Sequence, residues 1–267
     1  MRTSHTRLAS CSGTAVVLLL VLSVIAVHDR ACAQQPSPDQ TGDRDRGIQL
    51  YQKGDARGAI EALRAATNKH QDDGDAWYYL GRALVVGGNK DEARDAFERA
   101  ATIRLGDLIT LAPLRVLDST GPRSADAKTG DRYQAAIDSV ERYLQVTQNP
   151  TAEWPVQLEA LRFYRNYYAG SLVPETIVST REATTKLHIL SKPAPDFSHT
   201  VASGNAILRA VLSADGSVKH ILVLKRVASD FDLACIEAAR KIKFTPAIKD
   251  GRATSMILQL EYNRYFL

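Results

Sequence analysis

The sequence predicts an α + (α+β) chain: a helical repeat domain followed by a small α+β domain built from a hairpin, a helix and a third antiparallel strand. Three observations predict it. A set of small and apolar residues recurs 34 positions apart in the first half of the chain. Near the C-terminus, two apolar stretches and one of strict period two bracket a single stripe of helical period. The composition, 45% hydrophobic and 24% charged over 267 residues, is that of a globular chain with length enough for a sizeable core.

Residues 1–33 read as a targeting segment. Arg2 and Arg7 form a basic start, residues 14–27 are almost wholly apolar, and Ala31-Cys32-Ala33 has the small-x-small pattern of a cleavage site before Gln34. The alternative is an uncleaved anchor, since 20 uncharged residues run from Leu8 to Val27, about the length a bilayer requires. Cleavage removes Cys11 and Cys32 and leaves Cys235 alone, so no internal disulfide and no thiolate metal cluster forms. The net charge of +4 comes with no basic stripe interleaved with aromatics, which argues against nucleic acid as a partner.

Residues 34–43, rich in Pro, Gln and Asp, read as a flexible lead. The repeat domain is expected over 44–169. Gly47, Leu50, Gly54, Ala59, Leu63 and Ala66 are answered by Gly81, Leu84, Gly88, Ala93, Phe97 and Ala100, each 34 residues later. Small residues at Gly47/Gly81 and Ala59/Ala93 let two helices approach closely, and Leu63/Phe97 fill the gap to the next repeat. The period and the Trp77, Leu80, Gly81 order resemble the tetratricopeptide repeat. A third repeat is expected from a first helix over 105–117 and a second over 131–148, with Ala136, Val140 and Tyr143 as its spacing. Residues 152–169, carrying Trp154, Leu158, Leu161, Tyr164 and Tyr168, read as a closing helix whose aromatics make core contacts.

Residues 170–186, with Pro174 and several Ser and Thr, read as a linker, and the second domain is expected over 187–267. Ser191-Lys192-Pro193-Ala194-Pro195 is a stiff extended entry. A strand over 205–214 runs to Asp215-Gly216, a dipeptide suited to a two-residue hairpin loop. The second strand spans 217–227. A helix over 231–242 carries Leu233, Ile236, Ala239 and Ile242 on one stripe and is stopped by Phe244-Thr245-Pro246. The last strand, 255–263, alternates: Met256, Leu258, Leu260 and Tyr262 on one face, Ile257, Gln259, Glu261 and Asn263 on the other.

This ordered set, from Lys192-Pro193-Ala194-Pro195 through Ala214-Asp215-Gly216, the helix Cys235 to Lys243, Phe244-Thr245-Pro246-Ala247 and Lys249-Asp250-Gly251 to Glu261-Tyr262-Asn263, resembles the TonB C-terminal domain. The resemblance implies a periplasmic α+β domain of a Gram-negative cell that grips outer-membrane transporters by pairing its last strand with an extended segment of the transporter. In this sequence the implied partner-binding residues are Ser255, Ile257, Gln259, Glu261 and Asn263, the last three as polar contributors on a solvent face. The implied partners are an outer-membrane transporter or envelope protein and an unknown ligand of the repeats. Pairing with a second copy through the sheet edge is the structural-protein alternative, and a membrane-anchored energy transducer is the alternative that requires an intact anchor.

No catalytic, cofactor or metal residues are expected, and no enzyme. His5 and His28 lie in the targeting segment; His70, His188, His199 and His220 have no carboxylate, serine or second histidine at triad or ligand spacing. Asp72, Asp73 and Asp75 lack the later acidic ligands of a Ca²⁺ loop and read as a solvated turn.

Overall fold

The computed structural model describes residues 38–110, 127–171 and 176–265. The targeting segment lies outside the described residues; among those described, no helix is long and apolar enough to cross a membrane. Six helices come first: α1 (Pro38–Gln52), α2 (Ala56–Lys69), α3 (Gly74–Val86), α4 (Lys90–Asp107), α5 (Ala127–Val146) and α6 (Glu153–Tyr168). Of the expected lead over 34–43, residues 34–37 lie outside the described residues, and 38–43 belong to α1, which begins at Pro38, a residue compatible with a first helical turn.

The 34-residue repeat is visible atom by atom. Gly54 and Gly88 follow α1 and α3 with φ of +84° and +83°, the left-handed region that glycine enters without a Cβ penalty. Asp55 and Asn89 then cap α2 and α4, their Oδ1 atoms accepting from the N–H groups of Gly58 and Glu92 at 2.9 and 3.3 Å. A Cβ on Gly47 would stand 2.5 Å from Leu63 Cγ, and one on Gly81 would stand 2.7 Å from Phe97 Cε1. The helix hairpins α1–α2 and α3–α4 close at the same place by the same means.

The third repeat differs from expectation. Leu105 belongs to α4 and Leu108 caps it, both fully buried, while 111–126 lie outside the described residues. Helix α5 packs directly on α4, with Tyr133, Ala136, Ile137, Val140 and Tyr143 buried, so among the described residues it is the next helix of the stack. Arg104 fixes it there: Nη1 donates to Ala135 O at 2.8 Å and Ser139 Oγ at 2.7 Å, and Nη2 to Asp75 Oδ1 at 2.6 Å.

The C-terminal part contains β1 (His188–Ser191), β2 (Gly204–Leu212), β3 (Val218–Lys225), α7 (Ser229–Arg240), β4 (Lys243–Thr245), β5 (Ala247–Lys249), β6 (Arg252–Thr254) and β7 (Met256–Arg264). Strands β3, β2 and β7 form an antiparallel sheet in that order. The hairpin turn is one residue longer than expected. Gly216 N–H donates to Ser213 O at 3.0 Å and Ser213 N–H to Ser217 O at 2.9 Å, and of the Asp-Gly pair only Gly216 takes positive φ, +83°. Helix α7 ends at Arg240, ahead of Phe244 and Thr245, which instead form β4 and pair with β1.

The sheet is buried on both faces. On one face Leu208, Ala210, Leu212, Ile221, Val223, Leu260 and Tyr262 pack with Phe231, Cys235, Ile236 and Ala239 of α7. On the other, Val211, Leu222, Leu224 and Ile257 enter the same core as the helical repeats, including Trp154, Leu161 and Tyr164 of α6. The near-continuous apolar runs of β2 and β3 follow from this double coverage. Residues within the expected linker are tied in as well: Ile177 bridges Ser255 and Thr185 bridges Ile248.

Candidate functional site

A three-stranded sheet has two edges, and the chain treats them differently. Helix α6 closes the β3 edge. Fully buried Gln157 accepts the Val223 N–H on its Oε1 at 2.8 Å, and the His220 ring, at a bulge of β3 with φ +48°, stacks on Phe163 at 3.7 Å. The sequence reading left His220 a choice between solvent and a partial core; it is half-buried at this helix–sheet contact.

Among the described residues, the β7 edge is closed only at its ends. At the start, Ser255 N–H donates to Thr176 O at 3.0 Å and Val178 N–H donates to Ser255 O at 2.9 Å, so the backbone of Ser255 points away from β2. Alternate residues of a strand point to the same edge. The backbone groups of Ile257, Gln259, Glu261 and Asn263 therefore face outward, beyond any strand pairing among the described residues. Toward the far end Lys192 Nζ donates to Glu261 O at 2.7 Å while lying 4.5 Å from the Tyr262 ring centre. Arg264 then anchors the strand's exit, its Nη1 donating to Phe197 O at 3.1 Å and Thr200 O at 2.5 Å.

Two of the five expected partner-binding residues are corrected on this geometry. Ser255 is 1% exposed, its backbone is taken by 176–178, and its Oγ accepts the Ala214 N–H at 2.9 Å. Ile257, 4% exposed, sits opposite Val211 and packs into the helical core, because the helices cover that end of the sheet's second face. Only beyond it does the face open: Gln259 is half-buried, and Glu261 and Asn263 are exposed. Gln259, Glu261 and Asn263 thus combine outward backbone with accessible side chains, whereas Ile257 offers backbone alone.

Three basic residues shape the surroundings. Lys192, placed in a stiff entry, caps an edge carbonyl. Arg209, fully buried on β2, donates to Tyr133 Oη and, at 3.1 Å, to Leu108 O. Burial pushes the Tyr133 phenol well above its ordinary range, so it stays neutral beside the guanidinium. A charge interrupting the run Ile207-Leu208-Arg209-Ala210-Val211-Leu212 was the signal for a polar contact on the sheet's second face. Arg226, after β3, pairs with Glu153 of α6, Glu98 of α4 at 3.5 Å and Asp232 of α7 at 3.3 Å, and lies 4.2 Å from the Trp154 ring centre.

Burial, followed by the charge of Asp232, pushes the Cys235 thiol up to about 12, so it stays protonated and inert. Asp73 caps α3 through the N–H groups of Asp75 and Ala76, and Asp75 is spent on Arg104. Among the described residues, no group of three or more His, Cys, Asp or Glu is placed to hold a metal ion.

Residues 199–263 match the family described as Gram-negative bacterial TonB protein C-terminal, and residues 44–107 match the tetratricopeptide repeat. The chain carries tetratricopeptide repeats followed by a TonB C-terminal domain. No curated protein matches it. The TonB C-terminal match covers the hairpin, α7 and β7 through Asn263, and the tetratricopeptide match covers the two hairpins from α1 to α4. Both are interaction domains without catalytic machinery of their own, and the free β7 edge lies in the TonB C-terminal domain.

Proposed function

We propose that the chain is an exported envelope protein that captures an extended segment of a partner by adding it to the free edge of β7. The outward, strand-free backbone groups of alternate residues from Ile257 to Asn263 carry this reading. A row of N–H and C=O groups at a sheet edge accepts a visiting strand, and the exposed side chains of Glu261 and Asn263 are placed to read it. The partner is an outer-membrane transporter or envelope component, supported by the TonB C-terminal match. The repeats hold a second partner and fix the edge relative to it. Residues 1–33 serve as the export signal that delivers both domains to the periplasm.

The test contrasts backbone with side chain at one position. A photo-crosslinking residue at Asn263 captures the partner in the envelope fraction. Gln259→Pro removes an edge N–H and places a ring in its path, so capture is expected to fall at least roughly tenfold while the circular dichroism stays native. Gln259→Ala keeps the N–H and is expected to retain most of it. Unchanged capture by a folded proline variant overturns strand addition at this edge.

A further inference from the structure

Arg226 stands where the helical repeats meet the TonB C-terminal domain, and its surroundings are unbalanced. Its side chain is 10% exposed and faces Glu153 of α6 and Asp232 of α7, which are 0% and 1% exposed. Glu98 of α4 also reaches it, but at 38% exposure its charge is shared with solvent. In the interior, one cation thus meets two carboxylates, and the fully ionised cluster holds a surplus negative charge where the dielectric is low. The hydrogen bonds reflect the surplus. Glu153 Oε2 has no partner, and Asp232 Oδ2 makes only its 3.3 Å contact with Arg226 Nε, without hydrogen-bond alignment. Asp232 Oδ1 accepts the Val227 N–H at 3.1 Å. Thr102 Oγ1 accepts from Arg226 Nη1 at 3.3 Å, and the remaining walls are aromatic: the Trp154 ring lies over Arg226, and the Tyr143 ring lies 5.1 Å from that of Trp154.

We propose that the Arg226 junction is a proton-linked joint: seating the helical repeats on the TonB C-terminal sheet takes up one proton at Asp232, and ionisation of Asp232 loosens the seating of α6 against β3 and α7. A protonated Asp232 leaves Arg226 and Glu153 as a balanced pair. It keeps Oδ1 for the Val227 N–H, and the interior no longer holds the surplus negative charge.

The neighbouring groups support the assignment. Burial above all, with a further contribution from Glu153, holds the Asp232 carboxyl at about 7, while the Val227 N–H and Arg226 pull it down. Burial raises the Tyr143 phenol of α5, and the Cys235 thiol on α7 stands at about 12, so both remain neutral through the physiological range. Lys192 faces Cys235 from the segment after β1. The raised carboxyl fixes the sign: the folded joint binds more protons than the unfolded chain between about 4 and about 7, so stability falls as pH rises across that window. Asp43, Glu92, Glu182, Asp196 and Asp215 are all held below their ordinary values, which gives their linkage the opposite sign, and Asp107 of α4, raised by burial, is common to all the variants compared below.

The chain supplies its own reporter, since Trp77 and Trp154 are its two tryptophans. In purified full-length protein carrying Trp77→Phe, Trp154 emission is expected to titrate near neutral pH, and the urea midpoint is expected to be lower at pH 8 than at pH 5.5. Adding Asp232→Asn, which keeps an oxygen for the Val227 N–H, should flatten both responses; Glu98→Gln should leave both in place. Histidines common to all variants cancel in the comparison. An emission titration that survives Asp232→Asn unchanged, or equal urea midpoints at the two pH values before that substitution, overturns the proposal. If Asp232→Asn does not fold, Glu153→Gln decides: removing the neighbouring charge must shift the Trp154 midpoint to lower pH, and an unmoved midpoint overturns the joint.

Discussion

Arg226→Ala is expected to lower the stability of the chain by about 3–5 kcal/mol, the cost of leaving buried carboxylates without their cation. Glu153 and Asp232 have no other basic side chain at ion-pair distance among the described residues, and both are inaccessible to water. The packing loss adds to the charge loss, because the guanidinium lies over the Trp154 ring. Urea denaturation measures the effect. The triple substitution Arg226→Ala, Glu153→Gln, Asp232→Asn is expected to recover a large part of the loss, since it removes the charges that the single variant strands. A single variant that costs less than about 1 kcal/mol would reduce the cluster to a surface-like ion pair of little structural weight.

Most of the fold was legible because the constraints were local. The 34-residue period survives in the sequence since each hairpin meets the same steric limit at Gly47 and Gly81 and the same φ requirement at Gly54 and Gly88. The hairpin, helix and final strand of the second domain were readable from apolar period alone. What periodicity did not reveal was that the sheet has two buried faces. Leu222, Leu224 and Val211 fall within the expected strands, but period alone does not say what covers them, although an uninterrupted run such as Ile221-Leu222-Val223-Leu224 demands a layer on each side. The covering layer is α6, whose aromatics were expected to make core contacts, and the core they enter includes that of the sheet.

Period two groups Ile257, Gln259, Glu261 and Asn263 on one face of the last strand, whereas their marking, with Ser255, as partner-binding residues comes from the TonB C-terminal resemblance and not from spacing. Exposure along that row depends on long-range partners. Thr176 and Val178 take up Ser255 and the helical core takes up Ile257, and neither contact leaves a mark within the strand itself. Lys192 is a case of the same kind: it lies 69 residues from the Glu261 carbonyl it caps. An edge lysine blunts unwanted pairing, so the cap leaves a shorter window between Val178 and Lys192 for a visiting strand.

Gly81→Leu is expected to disrupt the repeats outright. Even the Cβ of alanine at this position would stand 2.7, 2.8 and 2.9 Å from Phe97 Cε1, Cδ1 and Cζ. The ring is 1% exposed and held edge-on by Tyr78 at 5.9 Å, so it has no empty volume to move into. For Gly81→Ala, overpacking of about 1–3 kcal/mol is partly offset by the gain in helix propensity of about 1 kcal/mol, which makes a modest loss the expected result. Leucine adds three further carbons with nowhere to go, and the hairpin must splay. Because α3 and α4 share one core with Leu222, Leu224 and Ile257, the damage should reach the sheet. Urea unfolding followed by circular dichroism and by Trp154 emission is therefore expected to shift together to lower denaturant. Phe97→Ala in the leucine background should restore part of the loss, since it opens the space the new side chain needs. A Gly81→Leu variant as stable as its parent would mean that α3 and α4 do not meet at this glycine, and the shared origin of the Gly47 and Gly81 contacts would fall with it.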